Sequence, residues 1–273
     1  MTVQVAFQGE PGAYSEMALN GYFNRRATAV PCPSFEAVFQ TVKDGVTPYG
    51  IIPIENSLAG SIHRNYDLLM QYPLWVVGEY HMPVHHCLVG FAGQTITEIR
   101  KVVSHPQALA QCDVYLRTLG AIVEPVNDTA GAVRMLRDSG DRNMAVVASR
   151  RAAELYGMSI LAEDIEDNPA NFTRFLLIHK EPVSPHTRAK TSIVFSLENR
   201  AGSLFRALSV FALRDIDLTK IESRPLVGKP WDYLFYVDFL GAAADKHVAH
   251  ALENLTEYTS MLRVLGSYPR HHG

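Results

Sequence analysis

This sequence predicts an α/β fold joined to a second, ferredoxin-like domain, on three observations. Through the first 180 residues short apolar strands alternate with amphipathic helical patterns, as in layered α/β folds with mainly parallel sheet. A Pro-containing polar stretch, Lys180-Glu181-Pro182-Val183-Ser184-Pro185-His186, then reads as a linker. Beyond it the order becomes strand, helix, strand, strand, helix, strand, which is βαββαβ.

The first strand, Val3–Phe7, is entered directly, without the basic segment and long apolar stretch of a secretory signal. Gly9-Glu10-Pro11-Gly12 turns the chain toward a helix starting near Ser15, and Ser34 starts the next helix. The strand Gly50–Ile54 runs into a Gly-containing turn, Glu55–Gly60, and Lys101–Val103 runs into Ser104–Gln107, where Pro106 opens a helix. Ala121–Val126 and Met144–Ala148 are further strands, with helix starts at Asp128 and Ser149. Ligands of such sheets bind beyond the carboxyl ends of strands, so these loops are expected to converge on one cleft. After the linker come strand Thr191–Leu197, helix Ala201–Leu213, strands Ile216–Glu222 and Tyr233–Leu240, helix Asp245–Tyr258 and strand Met261–Gly266.

A length of 273 residues allows about two domains, each with its own core. Apolar content of 47% and charge of 19% describe a soluble globular chain, and a net charge of −3 gives no reason to expect nucleic acid or membrane partners. No apolar run is long enough to span a bilayer. Cys32, Cys87 and Cys112 are too widely spaced for a disulfide framework and read as free thiols of a reducing cytoplasm. His81, His85 and His86 surround Pro83 in a strand-like context, which argues against the helical His pairs that usually hold zinc, so no metal is expected.

One segment draws attention to chemistry: Asn171-Phe172-Thr173-Arg174-Phe175-Leu176-Leu177-Ile178. A permanent cation in so apolar a strand needs a carboxylate partner or an anionic ligand. Alternation puts Thr173 and Phe175 on one face and Arg174 on the other. A hydroxyl beside an aromatic wall suits an anionic ring-shaped substrate; a buried Arg–carboxylate pair is the competing structural reading, and spacing alone does not choose. Gly9-x-x-Gly12 can offer backbone N–H groups to a carboxylate, but it is neither a Walker loop nor a dinucleotide fingerprint. Ser57, Ser61 and Ser104 lack the Gly-x-Ser-x-Gly setting of a hydrolase nucleophile.

Five segments in order, Gly9–Ser15, Pro53–Ser61, Ser104–Leu109, Thr173-Arg174-Phe175 and Glu222-Ser223-Arg224-Pro225, resemble the monofunctional bacterial prephenate dehydratases with a C-terminal ACT regulatory domain. The resemblance implies a two-lobed, periplasmic-binding-protein-like catalytic domain over residues 1–180, with lobe 1 about 1–78 and 161–180 and lobe 2 about 79–160, and an ACT domain over 190–273. It implies decarboxylating dehydration of prephenate to phenylpyruvate, water and CO2, with feedback by L-phenylalanine and no cofactor. Thr173, Arg174, Phe175 and Glu55 would be catalytic: Thr173 as hydrogen-bond donor to the leaving hydroxyl, Arg174 as carboxylate holder, Phe175 as ring wall and Glu55 as a relay. Gly12, Asn56, Ser57, Gly60, Ser104, His105 and Gln107 would bind substrate, His105 being an alternative relay. Asn199, Ala201, Gly202, Ser203, Leu204, Glu222, Ser223, Arg224 and Pro225 would hold L-phenylalanine. In the family these last segments meet across a dimer interface, which implies a homodimer through the ACT domains and a homotetramer. With no chorismate mutase segment before residue 1, a monofunctional cytoplasmic enzyme is expected. Arogenate dehydratase is the nearest alternative, and a non-catalytic amino-acid sensor is the alternative of another class.

Overall fold

The computed structural model describes residues 2–185, 187–225 and 233–271. The first sheet has the order β2-β1-β3-β11-β5, with β4 against β3. Its strands are β1 (Val3–Gln8), β2 (Ala27–Cys32), β3 (Tyr49–Asn56), β4 (Gly60–Ser61), β5 (Trp75–Pro83) and β11 (Phe172–His179). β1 pairs in parallel with β2 and β3, in register Val5↔Ala29 and Val5↔Tyr49. Val5, Ala6 and Phe7 are all buried, as expected of a parallel strand covered on both faces. Helices α1 (Tyr14–Tyr22), α2 (Phe35–Asp44) and α3 (His63–Gln71) belong to this lobe.

The second sheet has the order β10-β6-β9-β7-β8, built from β6 (Cys87–Gly90), β7 (Lys101–Ser104), β8 (Ile122–Pro125), β9 (Met144–Ala148) and β10 (Ser159–Ala162). Strands β7, β8 and β9 are parallel, but β6 runs antiparallel to β9 and to β10, so the expected mainly parallel sheet is a mixed one. Alternation along β9 sends Met144, Val146 and Ala148 into one core and Ala145 and Val147 into the other. The first core contains α6 (Thr129–Ser139) and α7 (Arg150–Tyr156); the second contains α4 (Pro106–Ala110) and α5 (Asp113–Leu119).

The predicted helix starts at Ser34, Asp128 and Ser149 are real caps: each side chain accepts from the backbone N–H three residues on. α1 instead begins at Tyr14, with Ala13 as its uncapped N-cap, because the turn before it is held by the Glu16 carboxylate on the Gly12 N–H.

The C-terminal sheet is antiparallel, in the order β13-β14-β12-β15, from β12 (Ala189–Leu197), β13 (Leu218–Pro225), β14 (Tyr233–Leu240) and β15 (Met261–Pro269). With α8 (Ser203–Ala212) and α9 (Lys246–Thr256) this is the expected βαββαβ domain, cored by Ile193, Phe195, Phe211, Val237, Phe239 and Val248.

Two compact units result: Met1–Gln71 with Tyr80–Leu176, and Tyr72–Glu79 with Leu177–Gly273. The second unit therefore takes in the first half of β5. There Arg263 donates to the Tyr72 and Leu74 carbonyls at 2.8 and 3.3 Å, and Lys190 pairs with buried Glu79 at 2.8 Å. Gly266 packs so closely on this segment that a Cβ would stand 2.0 Å from the Val76 carbonyl oxygen. The second lobe does not begin at Glu79, which is still in β5; its first strand begins at Cys87. His186 of the expected linker, and residues 226–232, 272 and 273 of the expected ACT region, lie outside the described residues. Cys32, Cys87 and Cys112 are free and buried.

Candidate functional site

Within the first unit a cleft of ≈ 560 Å³ is lined by strands of the first sheet and by loops and helix starts that follow strands of both sheets. Its rim is made of helix starts: Tyr14 and Ser15 of α1, Ser34 to Glu36 at α2, His105, Gln107 and Ala108 at α4, and Asn127 to Thr129 at α6. Each follows a strand's carboxyl end, so the α/β pattern itself aims N–H dipoles at one space. Among the described residues lining the cleft there is no lysine or arginine. An anion there would be held by these dipoles and by neutral side chains.

The cleft floor is an amide network. Asn56 Oδ1 accepts from the Leu58 and Ala59 N–H groups at 3.1 and 2.9 Å, which fixes its amide orientation. Its Nδ2 then faces Asn171 Oδ1 at 2.8 Å, Thr173 Oγ1 at 3.0 Å and the Phe172 carbonyl at 3.2 Å, with two protons to share among them. Because Thr173 Oγ1 accepts from Asn56, its own hydrogen is available toward the cleft. Phe175, two residues on, lines the same wall. Gln111 closes the network, accepting from Asn171 Nδ2 at 3.0 Å and reaching Asn56 Oδ1 at 3.4 Å. His86 lies 2.9 Å from Gln111 Oε1 and 2.7 Å from the Tyr14 hydroxyl.

Burial holds the His86 imidazole below its ordinary pKa, against the opposing pull of Gln111 and Glu166. His105 is likewise lowered by burial, opposed by Asp128. Its Nδ1 accepts from the Gln107 N–H at 3.2 Å, so in the neutral ring Nε2 carries the proton. Burial raises the Tyr14 hydroxyl well above the usual phenol range.

Of the expected site residues, Thr173, Phe175, Asn56, His105 and Gln107 meet at this cleft. Others do not line it. Arg174 is half-buried on the strand between Thr173 and Phe175, and alternation turns it away from their face. Glu55 is paired across the β3–β4 hairpin with Ser61, and Gly60 with Asn56, at a positive φ of 79°. Ser57 is a clip: its hydroxyl donates to the Ala170 carbonyl and accepts from the Phe172 N–H. Ser104 is fully buried and donates to the Val147 carbonyl. Gly12 gives its N–H to Glu16 and its carbonyl to Ser149, and a Cβ would stand 2.9 Å from Ala152 Cα; close packing, with φ of 93°, is what requires glycine.

Sequence reasoning missed Tyr14, Gln111 and Asn171, and considered His86 only as a metal ligand. Signals for two of them existed: Gln111 lies one helical turn after Gln107, and Asn171 precedes Thr173 by the strand period. His85 pairs instead with Glu166 at 2.8 Å and Asp164 at 3.4 Å.

In the C-terminal domain, Asn199, Ala201, Gly202 and Leu204 are exposed and Ser203 is half-buried around the start of α8. Gly202 is its N-cap, at φ 80°, and gives the helix no side-chain cap. Glu222 and Arg224 are half-buried, and Ser223 and Pro225 exposed, at the end of edge strand β13; Glu222 lies 3.6 Å from Lys220.

Residues 5–183 match the family model for prephenate dehydratase, and residues 191–257 that for the ACT domain. Arogenate dehydratase/prephenate dehydratase 2, chloroplastic, of Arabidopsis thaliana is 50% identical over 98% of this chain and 73% of its own length. The structure of prephenate dehydratase in complex with L-Phe from Arthrobacter aurescens superposes with a TM-score of 0.90, at 32% identity over 98% of this chain and 90% of that one. A structure described as GqqA, a novel type of quorum quenching acylase, matches with a TM-score of 0.90 at 35% identity over 98% of each chain. Eight curated relatives at 46–50% identity carry the names of plant arogenate dehydratases, three of them as arogenate dehydratase/prephenate dehydratase, where the bacterial monofunctional enzymes were expected. The expected cytoplasmic location is contradicted by Arabidopsis relatives at 47–50% identity, which are chloroplastic by name. The matched family model spans the lobes that build the cleft, and the chain belongs to the prephenate dehydratase family.

Proposed function

We propose that this protein is a lyase that removes CO2 and water from arogenate, giving phenylalanine, and performs the same elimination on prephenate, giving phenylpyruvate. The names of its relatives favour arogenate over the prephenate-only reading expected from the sequence. In either substrate the bond from the ring to its carboxylate breaks, the electron pair enters the ring, and the ring C–O bond breaks on the opposite side. The departing hydroxide takes up one proton to become water, and the aromatic product retains the side-chain carboxylate. Aromatisation drives the reaction, so what the cleft must supply is anion holding, a hydrogen-bond donor at the departing oxygen and a wall for the ring.

The observation that carries this reading is the Thr173 hydroxyl: its oxygen is occupied by Asn56, its hydrogen is available, and Phe175 lies beside it. A threonine hydroxyl is too weak an acid to give up its proton unaided, so Thr173 acts as donor to the developing hydroxide while a second group supplies the proton. His105 lines the same cleft and can do so as the imidazolium, which gives up a proton and is left as the neutral ring; the neutral Nε2–H by itself is no stronger an acid than the threonine hydroxyl. The helix starts at the rim hold the carboxylates.

L-phenylalanine is proposed as effector at the C-terminal domain. Its carboxylate would meet the uncapped start of α8 at Gly202, and its ring the segment ending β13, with a second copy of the chain completing the pocket and a pair of such dimers forming the tetramer. The likeness to an acylase supplies a second assay, but the Ser34 and Thr173 hydroxyls pair with Ala37 and Asn56 and not with an imidazole. The test is direct: supply arogenate and prephenate separately, quantify phenylalanine and phenylpyruvate, and repeat with added L-phenylalanine. Absence of both products removes the proposed activity, and products indifferent to L-phenylalanine remove the effector.

A further inference from the structure

The His86 ring is held so that it is fully hydrogen-bonded in either charge state. Asn56 is oriented by backbone donors, so polarity propagates outward: Asn171 shows nitrogen to Gln111, and Gln111 shows Oε1 to both Asn171 and His86. His86 must therefore present Nε2–H to Gln111. In the neutral ring Nδ1 is then an acceptor, served by the Tyr14 hydroxyl at 2.7 Å. Tyr14 has a second acceptor ready, the His85 carbonyl at 2.8 Å. If Nδ1 gains a proton, it donates to the Tyr14 oxygen and Tyr14 turns its hydrogen to His85. No bond is lost.

The surroundings are otherwise poor in positive charge. Among the described residues lining the cleft, His86 and His105 are the side chains able to become cationic, while Glu36 and Asp128 also line it. Glu36 is paired with Arg64, and Asp128 caps α6. The groups facing His86 itself are Tyr14 from α1, Gln111 after α4, neighbouring His85, and Glu166, whose carboxylate accepts the His86 backbone N–H at 2.9 Å. Cys87 and Cys112 lie close to Tyr14. Glu166 favours the cation, and neighbouring His85 opposes it.

We propose that His86 takes up a proton when a dicarboxylate enters the cleft, making the enzyme's discrimination between prephenate and arogenate depend on pH. The inference rests on the substrates proposed above. Prephenate carries one net negative charge more than arogenate, whose side chain bears an ammonium, so it induces the cation more strongly. Burial keeps the empty site neutral, and entry of the anion reverses that preference.

The experiment measures KM for both substrates from about pH 6 to about pH 8, a window clear of the substrates' own carboxyl and amine titrations. KM for prephenate should rise with pH, by up to about tenfold per unit between the free and bound pKa values, and KM for arogenate should rise less. In His86→Gln, which keeps an N–H for Gln111 but cannot titrate, both dependences should flatten. Equal dependence for the two substrates in the wild type, which needs no variant, overturns the inference; so does a slope that persists in His86→Gln. If the wild type converts neither substrate, the proposed function fails instead, and the two failures are separable.

Discussion

Replacing Lys190 by Met should destabilise the C-terminal unit severely. The Lys190 ammonium lies 2.8 Å from both carboxylate oxygens of Glu79, and the two side chains are 6% and 0% exposed. After the change Glu79 retains the His271 N–H at 3.1 Å but loses the Lys190 ammonium from a buried site. Removing one partner of a buried pair costs about 3–5 kcal/mol, because the remaining charge must stay desolvated or be neutralised. With a urea m-value of about 2 kcal/mol/M, that moves the unfolding midpoint down by about 2 M. Trp75 fluorescence, on the strand that carries Glu79, is a suitable probe. The double variant Glu79→Met with Lys190→Met should recover most of the loss, since the Glu79 carboxylate is then removed together with the Lys190 ammonium. A single-variant loss below about 1 kcal/mol, the value of a solvent-screened pair, would refute the reasoning.

Thr173→Ala should fold normally and lower kcat by roughly 10²-fold or more, the scale for one transition-state donor, as read from arogenate and prephenate turnover; near-wild-type turnover would remove its assigned role. Gly266→Ala should sharply reduce the yield of folded protein and its Tm, since the obstacle 2.0 Å away is backbone. Stability should fall as pH drops below about 6.5, because the folded His86 pKa is depressed and the unfolded chain binds that proton more readily, with a slope approaching 1.4 kcal/mol per pH unit for one group. Urea titrations of wild type and His86→Gln across that range should show a shallower slope in the variant, and identical slopes would place the acid sensitivity elsewhere.

Local sequence carried much of the fold because each helix start is a local event. Ser34, Asp128 and Ser149 bind N–H groups within their own turn, and the βαββαβ order follows from apolar period alone. The antiparallel course of β6 was not legible, since alternation looks the same in either direction, and neither was the membership of Trp75–Glu79 in the second unit, which depends on partners such as Lys190 and Arg263 over 100 residues away. At the site, Thr173 and Asn56 were legible as unusual polar residues at the ends of apolar strands. Ser57, Ser104 and Gly12 looked equally available, but their polar groups are consumed by carbonyls or by Glu16, a distinction visible only once the chain has folded.

The absence of lysine and arginine from the described lining of the cleft has a chemical logic under the proposed reaction. One substrate carboxylate must leave as neutral CO2, so charge at that position disappears as the transition state is reached. A permanent guanidinium there would bind the ground state more tightly than the transition state and raise the barrier it was meant to lower. Arg174 facing away from Thr173 and Phe175 therefore suits the chemistry better than the anion-holding position expected for it. Helix N–H groups orient a carboxylate with weaker, spread-out charge, and they lose less when that charge vanishes. The hydroxyl end has the opposite requirement, because negative charge grows on the departing oxygen. Thr173, held by Asn56 with its hydrogen available, is preorganised for that growing charge. Under the proposed reaction, fixed neutral donors together with a titratable imidazole in the cleft lining would let the site respond to the substrate's charge without holding the carboxylate it must release.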